Sequence, residues 1–306
     1  MKQTLIFILL FWTTLLQAQT KSTPWQEVDT LIAHGHYTSA YEKGEQFFKE
    51  AKRKGDGYAM LHAVYQQRVA AQAYQENFVE GAVKAYQEII PLLQGADKAV
   101  GYMLLSTAFE DYKSRIWRSY AAVELPPLQA KDLCTTSTEE LAQWSSERFD
   151  RAKRLCYEMA LAESEALKRV PTADYDLLIE GDTLGLRLRP TLYDVVVHGM
   201  LNDLYTLGYN SPKTLLDQRE LLLGTAEEFV RLEILGDSAS FALWQLRQLQ
   251  ALTHHHLNME DAAVRAHVDR RRMEALKSFA RTDALLATYT HGMERIAKSY
   301  EDAPHE

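Results

Sequence analysis

Two cysteines, eight prolines and 14 glycines are all that 306 residues carry of the residue types that most constrain a chain. So few prolines and glycines, among many Ala, Leu, Glu, Gln and Lys, argue against a strand-and-turn sandwich and for helix. No CxxC, HExxH, glycine-rich phosphate loop or nucleophile elbow occurs, so no catalytic or metal signature is written in the chain. No apolar run reaches the roughly 20 residues that a membrane-spanning helix needs. Positive charge is short as well. The 34 Lys and Arg face 42 Asp and Glu, a formal charge of -8, which removes the broad positive field that nucleic acid requires.

What is present is apolar surface: 46% of residues are hydrophobic, enough for one large domain or two smaller ones. The opening MKQTLIFILLFWTTLLQAQT has one cation at Lys2, an apolar run from Leu5 to Leu16, and Ala18 before Gln19. That is the plan of a signal peptide over residues 1–18. It predicts an exported chain, periplasmic or secreted, beginning near Gln19 with no membrane span in the mature protein.

The pattern then predicts helix after helix: Trp25 to Ala33, Tyr37 to Lys54, Tyr58 to Gln75, Phe78 to Leu93, Ala99 to Ala122, and a long sixth from Glu139 to Val170. Residues 124–136, with Pro126 and Pro127, form the clearest linker and a soft boundary within a helical region spanning 19–306. Ser137 and Glu140 have capping-box spacing. A helix starting there places Cys156 about 28 Å from its beginning, beyond the ~10 Å that the leader from Cys134 can cover, so free thiols are expected.

Three junctions share one signature: Gly35 with Ala40, Asn77 with Ala82, and Asn258 with Ala263. Glycine or asparagine can take the left-handed conformation that ends a helix, and the alanine lets the next helix pack closely. The fold expected is all-α: irregular stacked helical hairpins, a TPR-like α-solenoid. One segment breaks the rhythm, where Gly181 and Asp182 turn either a small β-hairpin between Leu177 to Ile179 and Leu186 to Leu188, or an ordered loop.

The stretch LRLRPTLYDVVVHGML, Leu186 to Leu201, is the most specific. Pro190 stops helix at Arg189, the Thr191 hydroxyl can cap the next helix, Tyr193 falls in its first turn, and the Asp194 carboxylate meets its free amides. One capping device accounts for every polar residue here. His254, His255 and His256 lie 100 degrees apart on a helix and cannot converge on one metal. Their place in a last turn, like that of His34 and His36 beside Gly35, suits the helix dipole. Arg270, Arg271 and Arg272, with Asp269 and Glu274 beside them, read as a solvated face. No catalytic, cofactor-binding or metal-ligating residue is expected.

Taken in order, PWQEVDTLIAHGHYTSA, AQWSSERFDRAKRLCYEMAL, VPTADYDLLIEG, LRLRPTLYD, LGDSASFALWQLRQLQALTHHH and DALLATYTHGMERIAKSYEDAP cover nearly all of the chain after the signal peptide. In these pieces it resembles the N-terminal helical region of large bacterial alpha-2-macroglobulin-like proteins. The resemblance implies an exported, nonenzymatic scaffold within a protease-trapping endopeptidase inhibitor. Neither CTTS at Cys134 nor CYEM at Cys156 matches the CGEQ thioester motif of that family, and no strand-rich domains follow Glu306. The partner implied is the rest of a larger macroglobulin-like chain, or, for a self-sufficient periplasmic adaptor, a protein or peptide. The last stretch reads as the first helix of a hairpin without its partner, as expected of a fragment.

Overall fold

The computed structural model describes residues 24–115, 125–178, 183–201, 213–237 and 240–301, and among them all regular structure is helical. The segment read as a signal peptide lies outside the described residues. Five helices open the chain: α1 (Pro24–Ala33), α2 (Tyr37–Lys54), α3 (Gly57–Gln72), α4 (Phe78–Ile89) and α5 (Gly95–Arg115), each packed on the one before. Among the described residues no helix is long and apolar enough to cross a membrane.

The first turn follows from glycine. Gly35 sits at φ 76, where His36 N–H reaches Leu31 C=O at 2.8 Å and Gly35 N–H reaches Ile32 C=O at 2.9 Å, the paired bonds of a Schellman end. Asn77 and Asn258 do not act this way, because no described residue other than glycine has positive φ. Asn77 has φ -96. The chain leaves α3 instead through tight bonds such as Ala73 N–H to Ala70 C=O and Tyr74 N–H to Ala71 C=O, which use up the last carbonyls at negative φ. At Asn258 the work is shared by Met259 N–H to His256 C=O and by the Arg265 guanidinium, which donates to Met259 and Glu260 C=O. The alanines Ala40, Ala82 and Ala263 that follow the three turns are all buried.

The long sixth helix is three short ones: α6 (Thr138–Leu141), α7 (Ser146–Ala160) and α8 (Ser164–Leu167). The break comes from a second cap inside the run, where the Ser145 hydroxyl accepts from Arg148 N–H at 3.2 Å and starts α7 afresh. Cys156 is therefore eleven residues past the cap of its helix, Ser145, rather than nineteen past Ser137. Both cysteines are free thiols, and they flank Tyr102, whose phenol is pushed up to about 12 by burial and then by the two thiols.

Among the described residues of 177–188 no strand occurs. Thr172–Leu178 is a 3-10 turn and Thr183–Leu188 is a helix, α9, with residues 179–182 outside the description. The α9 backbone satisfies itself: Arg189 N–H bonds Gly185 C=O at 3.1 Å. Among the described residues the only β-like contact lies at the neck of this excursion. There Thr172 N–H meets Pro190 C=O and Leu192 N–H meets Val170 C=O, a bridge between Pro171 and Thr191.

The remaining helices are α10 (Leu192–Met200), α11 (Lys213–Leu216), α12 (Arg219–Leu222), α13 (Ala226–Arg231), α14 (Phe241–His256), α15 (Ala262–Leu276) and α16 (Asp283–Glu301). One apolar core runs from Ala51 to Ile296, and it passes through the proline linker by way of Leu128 and Leu133. The Gln87 amide holds that linker by donating to Leu133 C=O at 2.9 Å and Thr136 C=O at 3.1 Å. The last stretch is not an unpartnered helix: α16 packs on α15 and buries Leu285 and Ile296 there. Its exposed residues include His291, Glu294, Arg295 and Lys298.

Candidate functional site

The start of α10 shows what the polar residues of LRLRPTLYD do. Pro190 holds the entry and gives its carbonyl to Thr172 N–H. Thr191 is extended at φ -123, and its hydroxyl accepts from Asp194 N–H at 3.4 Å. Asp194 Oδ2 in return accepts from Thr191 N–H at 2.9 Å and from the Thr191 hydroxyl at 2.7 Å. That closes a reciprocal capping box.

The other oxygen, Oδ1, contacts His256 Nε2 at the last turn of α14, a residue 62 positions away. His256 Nδ1 meets the Met259 sulfur. Asp194 is 0% exposed and His256 1%. Burial alone would push the Asp194 carboxyl up, but hydrogen bonding and charge from His256, with the Thr191 hydroxyl and amide, hold it below the usual carboxylate range. Tyr193 is buried beside this pair, its ring edge-on to His255 with centroids 5.6 Å apart. Burial first, then Asp194, pushes its phenol up to about 12.

This contact is a clasp between two helices. In a hydrolytic triad the hydroxyl donates to the imidazole, whereas here it donates to the carboxylate. Among the described residues no three His, Cys, Asp or Glu side chains converge as metal ligands. Gly35, Asn77 and Asn258 sit at separate turns, and only Asn258 borders the clasp, through its neighbour Met259.

Three features of this half of the molecule leave no local trace in the sequence. The first is a second buried pair: His198 of α10 and His267 of α15, with ring centroids 5.1 Å apart and no hydrogen-bond partner for any of their four nitrogens among the described residues. Burial, then Arg189 and His267, lowers the His198 pKa to about 2; burial, then Arg189 and the Arg270 and Arg271 guanidinia, lowers that of His267 to about 4. Both therefore stay neutral in the fold while an unfolded histidine titrates near 6.5. The stability these rings give is complete above pH ~6.5 and is lost below it, since only the unfolded chain takes up the protons. Between pH 7 and pH 5.5 urea melts should show a loss of about 2.5 kcal/mol from the two rings. His198→Leu should remove about half of that slope, and an unchanged slope would assign the acid sensitivity elsewhere.

The second is Arg272, which is 0% exposed and so departs from the solvated face expected of the arginine run. Arg270 and Arg271 do lie at the rim, both paired with Glu274. The third is a pair of clefts. One, of 380 Å³, lies among α13, α14, α15 and α16, with His256, Arg265, Asp269 and Arg295 in its wall. The other, of 530 Å³, runs between α14 and the end of α8. In comparisons with known proteins the chain matches no family model, no curated protein and no solved structure, so its own side chains carry the functional reading.

Proposed function

We propose that this chain is a nonenzymatic, TPR-like helical scaffold, the N-terminal region of an exported alpha-2-macroglobulin-like protease-trapping protein, without the bait and thioester parts. The observation that carries the reading is the clasp. RPTLYD is the most specific stretch of the resemblance, and its polar atoms are spent on joining α10 to α14, with Asp194 and His256 both buried. A motif used in this way serves architecture. The opening helices α1 to α5, each packed on the one before, suit a stacked scaffold, whose function lies in the surfaces that it presents.

A second reading, a stand-alone periplasmic adaptor for a protein or peptide, is favoured by the two clefts beside α14, since grooves between packed helices are common recognition surfaces. Size and compartment separate the two. An immunoblot of native cell fractions, with an antibody raised against the purified chain, should show an exported band several times larger than 35.0 kDa. An exported band just below 35.0 kDa would replace the scaffold reading with the adaptor. A band confined to the cytoplasm would refute export, and both readings with it.

A further inference from the structure

The larger cleft has a charge pattern opposite to that of the chain. Lys168, at the end of α8, and Arg247, His254 and His255 of α14 line its 530 Å³, and among the described residues no aspartate or glutamate does. Positions 247, 250, 251, 254 and 255 of α14 fall at steps of three and four, so one helix face supplies most of the wall. The run HHH is thereby divided: His256 turns inward to the clasp, while His254 and His255 turn to the cleft.

The wall is tied in place before anything binds. The Gln250 amide donates to Phe229 C=O at 2.8 Å and to Leu232 C=O at 2.7 Å, holding the end of α13 against α14. Arg247 gives one donor to Ile234 C=O at 3.2 Å and keeps others of its five. Lys168 lies 5.0 Å from the Tyr193 ring centroid and 2.5 Å from Glu165. The Glu165 side chain is 75% exposed, so that pair is solvent-screened and readily exchanged for another carboxylate. Val230 and Ala251 add an aliphatic surface.

Two fixed cations at the cleft against one rim carboxylate leave a net charge of one, and burial lowers the pKa of the His255 imidazole. That balance suits a single carboxylate on a carbon stem better than a doubly charged phosphate. We propose that this cleft binds a glutamate or aspartate side chain of an acidic peptide segment from a partner protein, with Arg247 and Lys168 as its charge contacts. This rests on the partner-presenting role proposed above. The immunoblot decides that role by size and compartment alone, so either idea can fail without the other.

The test is isothermal titration of the purified chain, at low salt, with an acetylated and amidated six-residue peptide containing three glutamates. Its glutamine counterpart and inorganic phosphate serve as the other arms. Binding of the glutamate peptide with Kd below about 1 mM is expected, at least tenfold weaker for the glutamine peptide and for Lys168→Gln and Arg247→Gln. Circular dichroism melts check that each variant is folded. If Arg247→Gln unfolds for want of its bond to Ile234, Lys168→Gln decides alone. No binding by about 1 mM, equal binding of the glutamine peptide, or unchanged binding by a folded Lys168→Gln would overturn the proposal. Displacement of the peptide by equimolar phosphate would make this a phosphate site instead.

Discussion

Replacing Asp194 with alanine should cost the fold about 3–5 kcal/mol, because it removes one partner of a buried pair and leaves the His256 imidazole without its acceptor. The loss of the α10 cap adds about 1 kcal/mol. For a chain of this size such a loss lowers Tm by roughly 5–10 °C. Asp194→Asn should fall between, since an amide oxygen can still accept from Thr191 while the charge toward His256 is gone. Thr191→Ala, which removes the hydroxyl and spares the clasp, should cost only about 1 kcal/mol. Denaturant melts of the three variants give the order directly. If Thr191→Ala proves as damaging as Asp194→Ala, the cap and not the contact with α14 is what holds this junction. The sign with pH is also set. Asp194 ionises below its ordinary range in the fold, so its contribution is present at neutral pH and is lost as pH falls through that lowered value.

A loss of the same size is expected on replacing Arg272 with methionine. The guanidinium makes four different contacts: Asp269 at 2.7 Å, Leu222 C=O at 2.8 Å, Gly224 C=O at 2.8 Å, and the face of Phe229 with 5.2 Å to the ring centroid. Methionine fills much of the volume but takes the guanidinium from two carbonyls and from Asp269, which keeps only its longer ion pair with Arg295 at 3.6 Å, at about 3–5 kcal/mol. Because Leu222 and Gly224 lie on the turn between α12 and α13, the damage should be local first. Hydrogen exchange ought to accelerate over 219–231 before it does so in α2 or α3. Arg272→Lys should rescue only part, since an ammonium is a point charge and cannot reach two carbonyls and a carboxylate together. Uniform acceleration across all helices would mean that Arg272 supports the core in general and not this turn.

What could be read from the sequence, and what could not, divides by distance along the chain. The cap at Thr191 and Asp194 is legible because its four bonded atoms lie within three residues, and the same holds for Ser137 with Glu140. The start and end of α2, Tyr37 and Lys54, agree with the apolar period. The break ahead of α7 is written as well, in Ser145 three residues before Arg148. The apolar steps from Leu141 to Phe149 carry straight across it, however, and that periodicity hides the stop. Leu186 to Leu188 alternates as a strand would, but its backbone bonds within α9, as in Arg189 N–H to Gly185 C=O, which the alternation does not reveal. The partners of the site lie beyond any such reading. Asp194 with His256, Arg272 with Leu222, and Lys168 with Arg247 are 62, 50 and 79 positions apart, and no spacing rule links them.

The two oxygens of Asp194 also run on different clocks. Oδ2 closes a ring within residues 191–194 and can do so as soon as that one turn forms. Oδ1 must wait for a residue 62 positions later, a loop whose closure costs far more chain entropy than the cap does. The opening helices α1 to α5 each dock on the one just made and need no such delay. During that interval α10 is a finished helix start with a carboxylate still facing water. Arrival of α14 is the step that dries it, so the second half of the chain closes onto a first half that is already standing.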